Sequence, residues 1–184
     1  MQDKNKILDE LLIMRMRDGD STSTTLFVKR WHSKLIWYSF QLIHNKEESQ
    51  DIVQENWPRI IEGITNLKEI RSYRSWMYRV IRNKTIDKIR KSHREASAIE
   101  NAEINDISTT STNQEQNLDL MKKLISKLPS ELKEILHLFY LQENTVEEIG
   151  QILQIPNGTV KSRLYRAREQ VKSLAKQVEH LFEF

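Results

Sequence analysis

From Gly158 to Arg168 the chain reads Gly158-Thr-Val-Lys-Ser-Arg-Leu-Tyr-Arg-Ala-Arg168. Val160, Leu164, Ala167 and Val171 recur at intervals of four, three and four, the period of one apolar helix face. Lys161, Ser162, Tyr165, Arg166 and Arg168 are then turned outward. Lys and Arg can pair with guanine O6 and N7, Ser with donors or acceptors, and an aromatic ring with a thymine methyl, so this face could read base edges in a major groove. Thr145-Val-Glu-Glu148 is a capping box that opens a shorter helix with Val146, Ile149 and Leu153 inward. Gly150 lies where another helix could approach closely. Ile155-Pro156-Asn157-Gly158 reads as a sharp turn, and Thr159 as the cap of the next helix. Short helix, Gly-containing turn and second helix is the pattern of a helix-turn-helix. A solvated αα-hairpin shares the periodicity, but cap, turn and clustered charge together favour groove reading.

A second set of cations lies upstream. Residues 71–94 hold nine Lys/Arg and one acid, Asp87, for a net +8. Residues 95–120 hold six acids and no base, and residues 157–176 are again basic, with a net +5. The formal charge of the whole chain is only +3, so the charges are segregated. Two basic blocks around an acidic spacer are the footprint of a polyanion binder with two contact points.

Helices must carry these groups. Only 4 Gly and 3 Pro in 184 residues give too little punctuation for an all-β chain. A first helix is expected from about Asp3 to Arg17, with Ile7, Leu8, Leu11 and Leu12 inward, stopped at Gly19. A second runs from the Ser/Thr cluster at 21–25 to about His44. Its stripe of Phe27, Trp31, Leu35, Tyr38 and Leu42 reads as a core face rather than a stacking platform for bases. Asn45 and Glu48 can form a capping box for a third helix ending near Gly63, with a kink or break expected at Pro58. A loop over 65–75 leads to a fourth helix, Trp76 to about Ser92, whose apolar face is Trp76, Met77, Val80, Ile81, Ile86 and Ile89. Residues 96–116 are Ser/Thr/Asn/Glu-rich without an aromatic, and helical signals return at Leu118. The expected architecture is all-α: a lobe at 1–93, an acidic flexible linker at 94–117 and a lobe at 118–184.

Zero cysteines exclude disulfides, thiolate metal sites and a cysteine nucleophile. The five histidines lack zinc-ligand spacing, and neither GxGxxG nor GxxxxGK[ST] occurs, so no metal, cofactor or enzymatic activity is expected. Met1 is followed by polar residues rather than a signal-peptide pattern. The longest uncharged apolar run, Leu35 to Ile43, is about half of the roughly 20 residues of a membrane helix, so a cytoplasmic location is expected.

Leu128-Pro129 to Tyr140, Thr145-Val-Glu-Glu-Ile-Gly150 and Gly158 to Arg168 together resemble region 4 of bacterial RNA polymerase sigma factors, most closely the extracytoplasmic-function group. Asp51-Ile-Val-Gln-Glu55 followed by Trp57, then Ser75-Trp-Met-Tyr-Arg-Val-Ile-Arg-Asn83 with Asp87 and Arg90, resembles their region 2. The resemblance covers nearly the whole chain apart from the linker. It implies a non-enzymatic initiation factor that gives core RNA polymerase its promoter specificity and helps to open DNA. It places Asp51, Ile52, Gln54, Glu55 and Trp57 against the clamp helices of the largest polymerase subunit, with a further contact at the flap region. Arg71, Tyr73, Arg74, Asn83, Lys84, Lys88, Arg90 and Lys91 would serve the minus-ten element. There Asn83 and Tyr73 would hold a flipped base and the cations its phosphates.

The same resemblance gives the minus-thirty-five element to Thr145, Thr159, Lys161, Ser162, Arg163, Tyr165, Arg166 and Arg168. Thr145, Arg163 and Arg168 would serve as phosphate contacts. It also implies an anti-sigma factor as partner. The linker of about 25 residues reaches about 80–90 Å when extended and about 25–30 Å as a coil. Its acids could mimic RNA in the exit path of polymerase, or it could be a plain spacer. Trp76 is placed in the core rather than as a melting wedge, and Asp87 in an ion pair. A free-standing DNA-binding regulator and a basic RNA-binding enzyme are the competing readings. The 51–57 segment argues against the first and the missing phosphate loop against the second.

Overall fold

The structure, a computed structural model, describes residues 2–98 and 127–179. Most of the expected linker and the expected helix start at Leu118 lie outside these residues. All regular structure among the described residues is helical. The chain divides into two compact units, the boundary in the linker falling after Ala98.

In the N-terminal lobe α1 (Gln2–Arg17), α2 (Ser21–Ile43), α3 (Lys46–Thr65) and α4 (Tyr73–Ala98) pack together, with a 3₁₀ turn at Ile70–Ser72 before α4. Gly19 (φ 85°) takes the left-handed conformation that ends α1, and Asp20 caps α2 by accepting from the Thr22 N–H at 2.9 Å and the Ser23 hydroxyl at 2.7 Å. These bonds to the charged form hold the Asp20 carboxyl below its usual pKa range, Ser23 contributing most. Asn45 caps α3 through the Glu48 N–H at 3.2 Å. The other half of the expected box is absent, because the Glu48 carboxylate faces Lys88 at 4.0 Å instead.

The core is aromatic. Phe27, Trp31, Leu35 and Tyr38 of α2 are buried, as the stripe predicts, while Leu42 is only half-buried. Their partners come from α4: Tyr73 meets Trp31 edge-on at 5.7 Å, and Tyr78 meets Tyr38 at 5.1 Å. A second layer is polar. The buried Ser39 and Thr85 hydroxyls lie 2.9 Å apart, and Asp9 (2% exposed) accepts from Arg30 Nε at 2.7 Å and the Tyr73 hydroxyl at 3.0 Å.

Several expectations are corrected. On α1 the buried face is Asp9, Leu12, Ile13 and Met16, whereas Ile7, Leu8 and Leu11 face solvent. Asp9 shares this face with three apolar residues and is satisfied there by Arg30 and Tyr73. Helix α3 passes through Pro58 without the expected break. Pro58 is exposed, so the Gln54 carbonyl that loses its partner lies on the wet side of the helix. Helix α4 starts at Tyr73, three residues before Trp76, because Tyr73 and Met77 are both drawn into the core. It also continues past Ser92, where Lys91 and Glu95 pair across one turn at 3.8 Å.

In the C-terminal lobe, α5 (Ser130–Leu136) continues as a π-helical turn over His137–Leu141, followed by α6 (Val146–Leu153) and α7 (Asn157–Glu179). Leu132, Ile135, Leu138, Ile149, Val160, Leu164 and Ala167 form its core. No helix among the described residues is long and apolar enough to cross a membrane.

Candidate nucleic-acid interface

The capping box at Thr145 is complete: the Thr145 N–H donates to Glu148 Oε2 at 2.7 Å, and the Glu148 N–H donates to Thr145 Oγ1 at 3.1 Å. Gly150 permits the close turn that follows, since a Cβ there would lie 2.6 Å from Asn157 Oδ1 and 3.1 Å from the Ile155 carbonyl. The turn differs in detail from the sequence reading. Its left-handed residue is Gln154 (φ 57°), and α7 opens at Asn157, two residues before Thr159. The Pro156 carbonyl accepts the first helical bond from Val160 N–H at 3.1 Å, a position where the missing N–H of proline costs nothing. Thr159 is therefore a first-turn residue and not the cap.

Helix α7 buries Val160, Leu164 and Ala167 and exposes Lys161, Ser162, Tyr165 and Arg166, with the Tyr165 side chain 66% exposed. The Ser162 hydroxyl donates to the Thr159 carbonyl at 3.0 Å, which leaves it as an acceptor for a base. Arg163 has an acidic partner within the lobe. Its Nη2 pairs with Glu131 at 2.9 Å, tying α7 to α5, so its charge is already matched within the lobe. Arg168 is exposed but anchored: its Nε donates to the Tyr140 hydroxyl at 2.7 Å.

On α4 the exposed set is Asn83, Lys88, Arg90 and Lys91, with Lys84 half-buried beside it and Arg71 exposed on the preceding turn. Two residues assigned to this set from sequence do not join it. Tyr73 is 1% exposed, with its ring against Phe27 and Trp31, and it cannot stack on a base. Burial, and next the charge of Asp9, push its hydroxyl well above the ordinary tyrosine pKa, so it stays a neutral donor. Arg74 is 9% exposed and lies over the Trp31 ring at 5.7 Å, a cation–π contact rather than a phosphate contact. Asp87 is exposed with no ion pair among the described residues, against expectation. Trp76 packs across Gly63 and carries the Arg79 guanidinium over its ring at 5.3 Å.

Helix α3 presents the opposite charge. Asp51, Gln54, Glu55 and Glu62 lie exposed along it. Ile52 and Trp57, assigned to the same surface from sequence, are each 7% exposed and point inward, as does Asn56, whose amide donates to the Ile52 carbonyl at 2.7 Å. Trp57 Nε1 donates to His32 Nδ1 of α2 at 3.0 Å, with the two rings stacked. Trp57 thus ties α3 to α2, and Asp51, Gln54 and Glu55 remain exposed. No cluster of His, Cys, Asp and Glu suited to a metal occurs among the described residues.

Two family models match the chain: Sigma-70 region 2 over residues 27–95 and Sigma-70 region 4 over residues 118–171. The ECF RNA polymerase sigma factor SigW of Bacillus subtilis is 30% identical over 182 residues, covering 92% of this chain and 96% of that protein. The chain belongs to the ECF sigma factors. The ECF RNA polymerase sigma-E factor of Haemophilus influenzae is 26% identical to this sigma factor over 181 residues, covering 91% and 95% of the two chains. Among solved structures, RpoE of Bartonella quintana in complex with the anti-sigma factor NepR gives a TM-score of 0.66 at 20% identity, covering 83% of this chain and 96% of that one. CnrH in complex with the cytosolic domain of CnrY gives 0.65 at 17% identity, covering 92% and 98%.

Proposed function

We propose that this sigma factor docks on core RNA polymerase through the exposed edge of α3, with Asp51, Gln54 and Glu55 as contact residues, and directs initiation at promoters that carry minus-ten and minus-thirty-five elements. It performs no bond chemistry itself and works in the cytoplasm, where polymerase acts. Residues 1–93 serve core docking and strand opening, residues 118–184 serve upstream recognition, and the acidic segment 94–117 joins them. Helix α7 lies in the major groove, with Lys161, Tyr165 and Arg166 facing base edges and Ser162 accepting from one. The α6 N-terminus at Thr145, with Thr159 and Arg168, meets phosphates.

The observation that carries this reading is the division of labour on α4. Its tyrosines, Tyr73 and Tyr78, are spent on the core, while Asn83 stands exposed among Lys84, Lys88, Arg90 and Lys91. An amide can pair with the polar edge of an unstacked base, and the cations can hold the strand without reading it. With Tyr73 buried, the captured base is held by its edge and its backbone, not by stacking on that ring. The complex of RpoE with the anti-sigma factor NepR supports control of this chain by a partner of the same kind.

The test separates opening from binding. Holoenzyme carrying Asn83→Ala should still form the closed complex but fail to expose minus-ten thymines to permanganate, and the defect should shrink on a template already melted there. Opening of a duplex promoter at the normal rate would remove Asn83 from the site.

A further inference from the structure

Arg168 is held differently from the other exposed cations of α7. Phe139 and Tyr140 stand edge to face at 5.0 Å and 78° on the π-helical turn, whose extra residue is accommodated by the Gln142 N–H bonding to the His137 carbonyl at 3.0 Å. The Arg168 guanidinium lies over both rings, 5.4 Å and 5.5 Å from their centres, and its Nε donates to the Tyr140 hydroxyl at 2.7 Å. Tyr140 remains 53% exposed, so this is a surface clasp and not a core contact. The bond uses one of the five N–H donors of the guanidinium, and the Nη groups make no hydrogen bond among the described residues.

We propose that Tyr140 is a positioning residue for upstream DNA binding: it fixes Arg168 through Nε and aims the free Nη fork at a backbone phosphate. This inference rests on the reading of Arg168 as a phosphate contact. The physical gain is pre-organisation. A planar fork matches a phosphate bidentately, and a side chain already held at Nε loses less freedom when it binds. Lysine could not replace it, because one ammonium group has no fixed fork to present while bonded to the hydroxyl.

Promoter binding by the holoenzyme, measured between 50 and 200 mM salt, tests this with Tyr140→Phe, which removes only the hydroxyl. Loss of one phosphate contact on duplex DNA should reduce the affinity drop over that fourfold salt range by about 3.5-fold, the result expected for Arg168→Ala. Tyr140→Phe should reproduce about half or more of that effect on a logarithmic scale, and should add nothing in an Arg168→Ala or Arg168→Lys background. The helicity of the free chain should be unchanged. An unaltered salt slope for Tyr140→Phe, or an equal effect with and without Arg168, would overturn the positioning role. So would weaker binding at an unchanged slope, which would instead point to a protein seated in the adjoining apolar groove of about 460 Å³ between Leu136, Leu141 and Val171. An unchanged slope for Arg168→Ala alone would remove the phosphate contact, and the positioning role with it, before Tyr140 is altered.

Discussion

Replacing Gly63 with alanine should loosen the joint between α3 and α4. A Cβ on Gly63 would fall on the Trp76 indole, with Cζ2, Nε1 and Cε2 the nearest atoms and Cε2 at 2.5 Å. Carbon atoms in good contact are about 3.5–4.0 Å apart, so the ring would have to retreat by about 1 Å. Overpacking of this kind costs about 1–3 kcal/mol. Alanine in place of glycine inside a helix returns about 1 kcal/mol. Because the obstacle is a rigid ring presenting three atoms, the cost lies in the upper half of its range and the net loss is about 1–2 kcal/mol. For a lobe of about 100 residues that corresponds to a fall of about 5–15 °C in Tm. The assay can isolate this lobe in the full chain, since all 4 tryptophans (Trp31, Trp37, Trp57 and Trp76) belong to it and their fluorescence reports its unfolding alone. The loss should shrink when Trp76→Leu is present, because the two sites share one contact. An unchanged or raised Tm for Gly63→Ala would mean that helix propensity alone governs the site, and would refute the packing argument.

Arg166→Ala should cost about 1–3 kcal/mol of discrimination at one upstream base position, read from promoter variants in a binding competition; an equal loss on every promoter would assign Arg166 to the backbone. Charge reversal at Asp51 and Glu55 should weaken association with core polymerase in a pull-down titration without loss of helicity, since both are exposed and neither supports the fold. Undiminished core binding would move the docking surface elsewhere.

Features set by local chemistry were legible in the sequence. The Thr145–Glu148 box, the Gly19 stop, the α2 stripe and the outward face of α7 each depend on residues within one or two helical turns, and each has its expected physical form. The misreadings share a different cause, long-range partners. Asp9 is satisfied by Arg30 and Tyr73, which lie far along the chain. Counting it inward gives Asp9, Leu12, Ile13 and Met16, a regular helical spacing that the apolar residues alone conceal. The resemblance assigns Tyr73 and Arg74 to the minus-ten element, but α4 begins early enough to turn both toward Trp31. Gly63 looked like a helix end, and only the position of Trp76 shows why no side chain fits there. The exposure of the α4 and α7 cations and of Asn83 follows from the helix pattern, whereas the internal partners of Arg163 and Arg168 do not. Glu131 and Tyr140 belong to another helix, and no spacing rule connects them.

The most direct test of the whole account is run-off transcription by core RNA polymerase on a library of genomic fragments, with and without this chain. The account predicts discrete transcripts that appear only when the chain is present, starting at fixed distances from shared upstream and downstream elements. It also predicts weak promoter binding by the free protein. Nanomolar sequence-specific binding by the free chain, with no new transcripts when core polymerase is supplied, would contradict it.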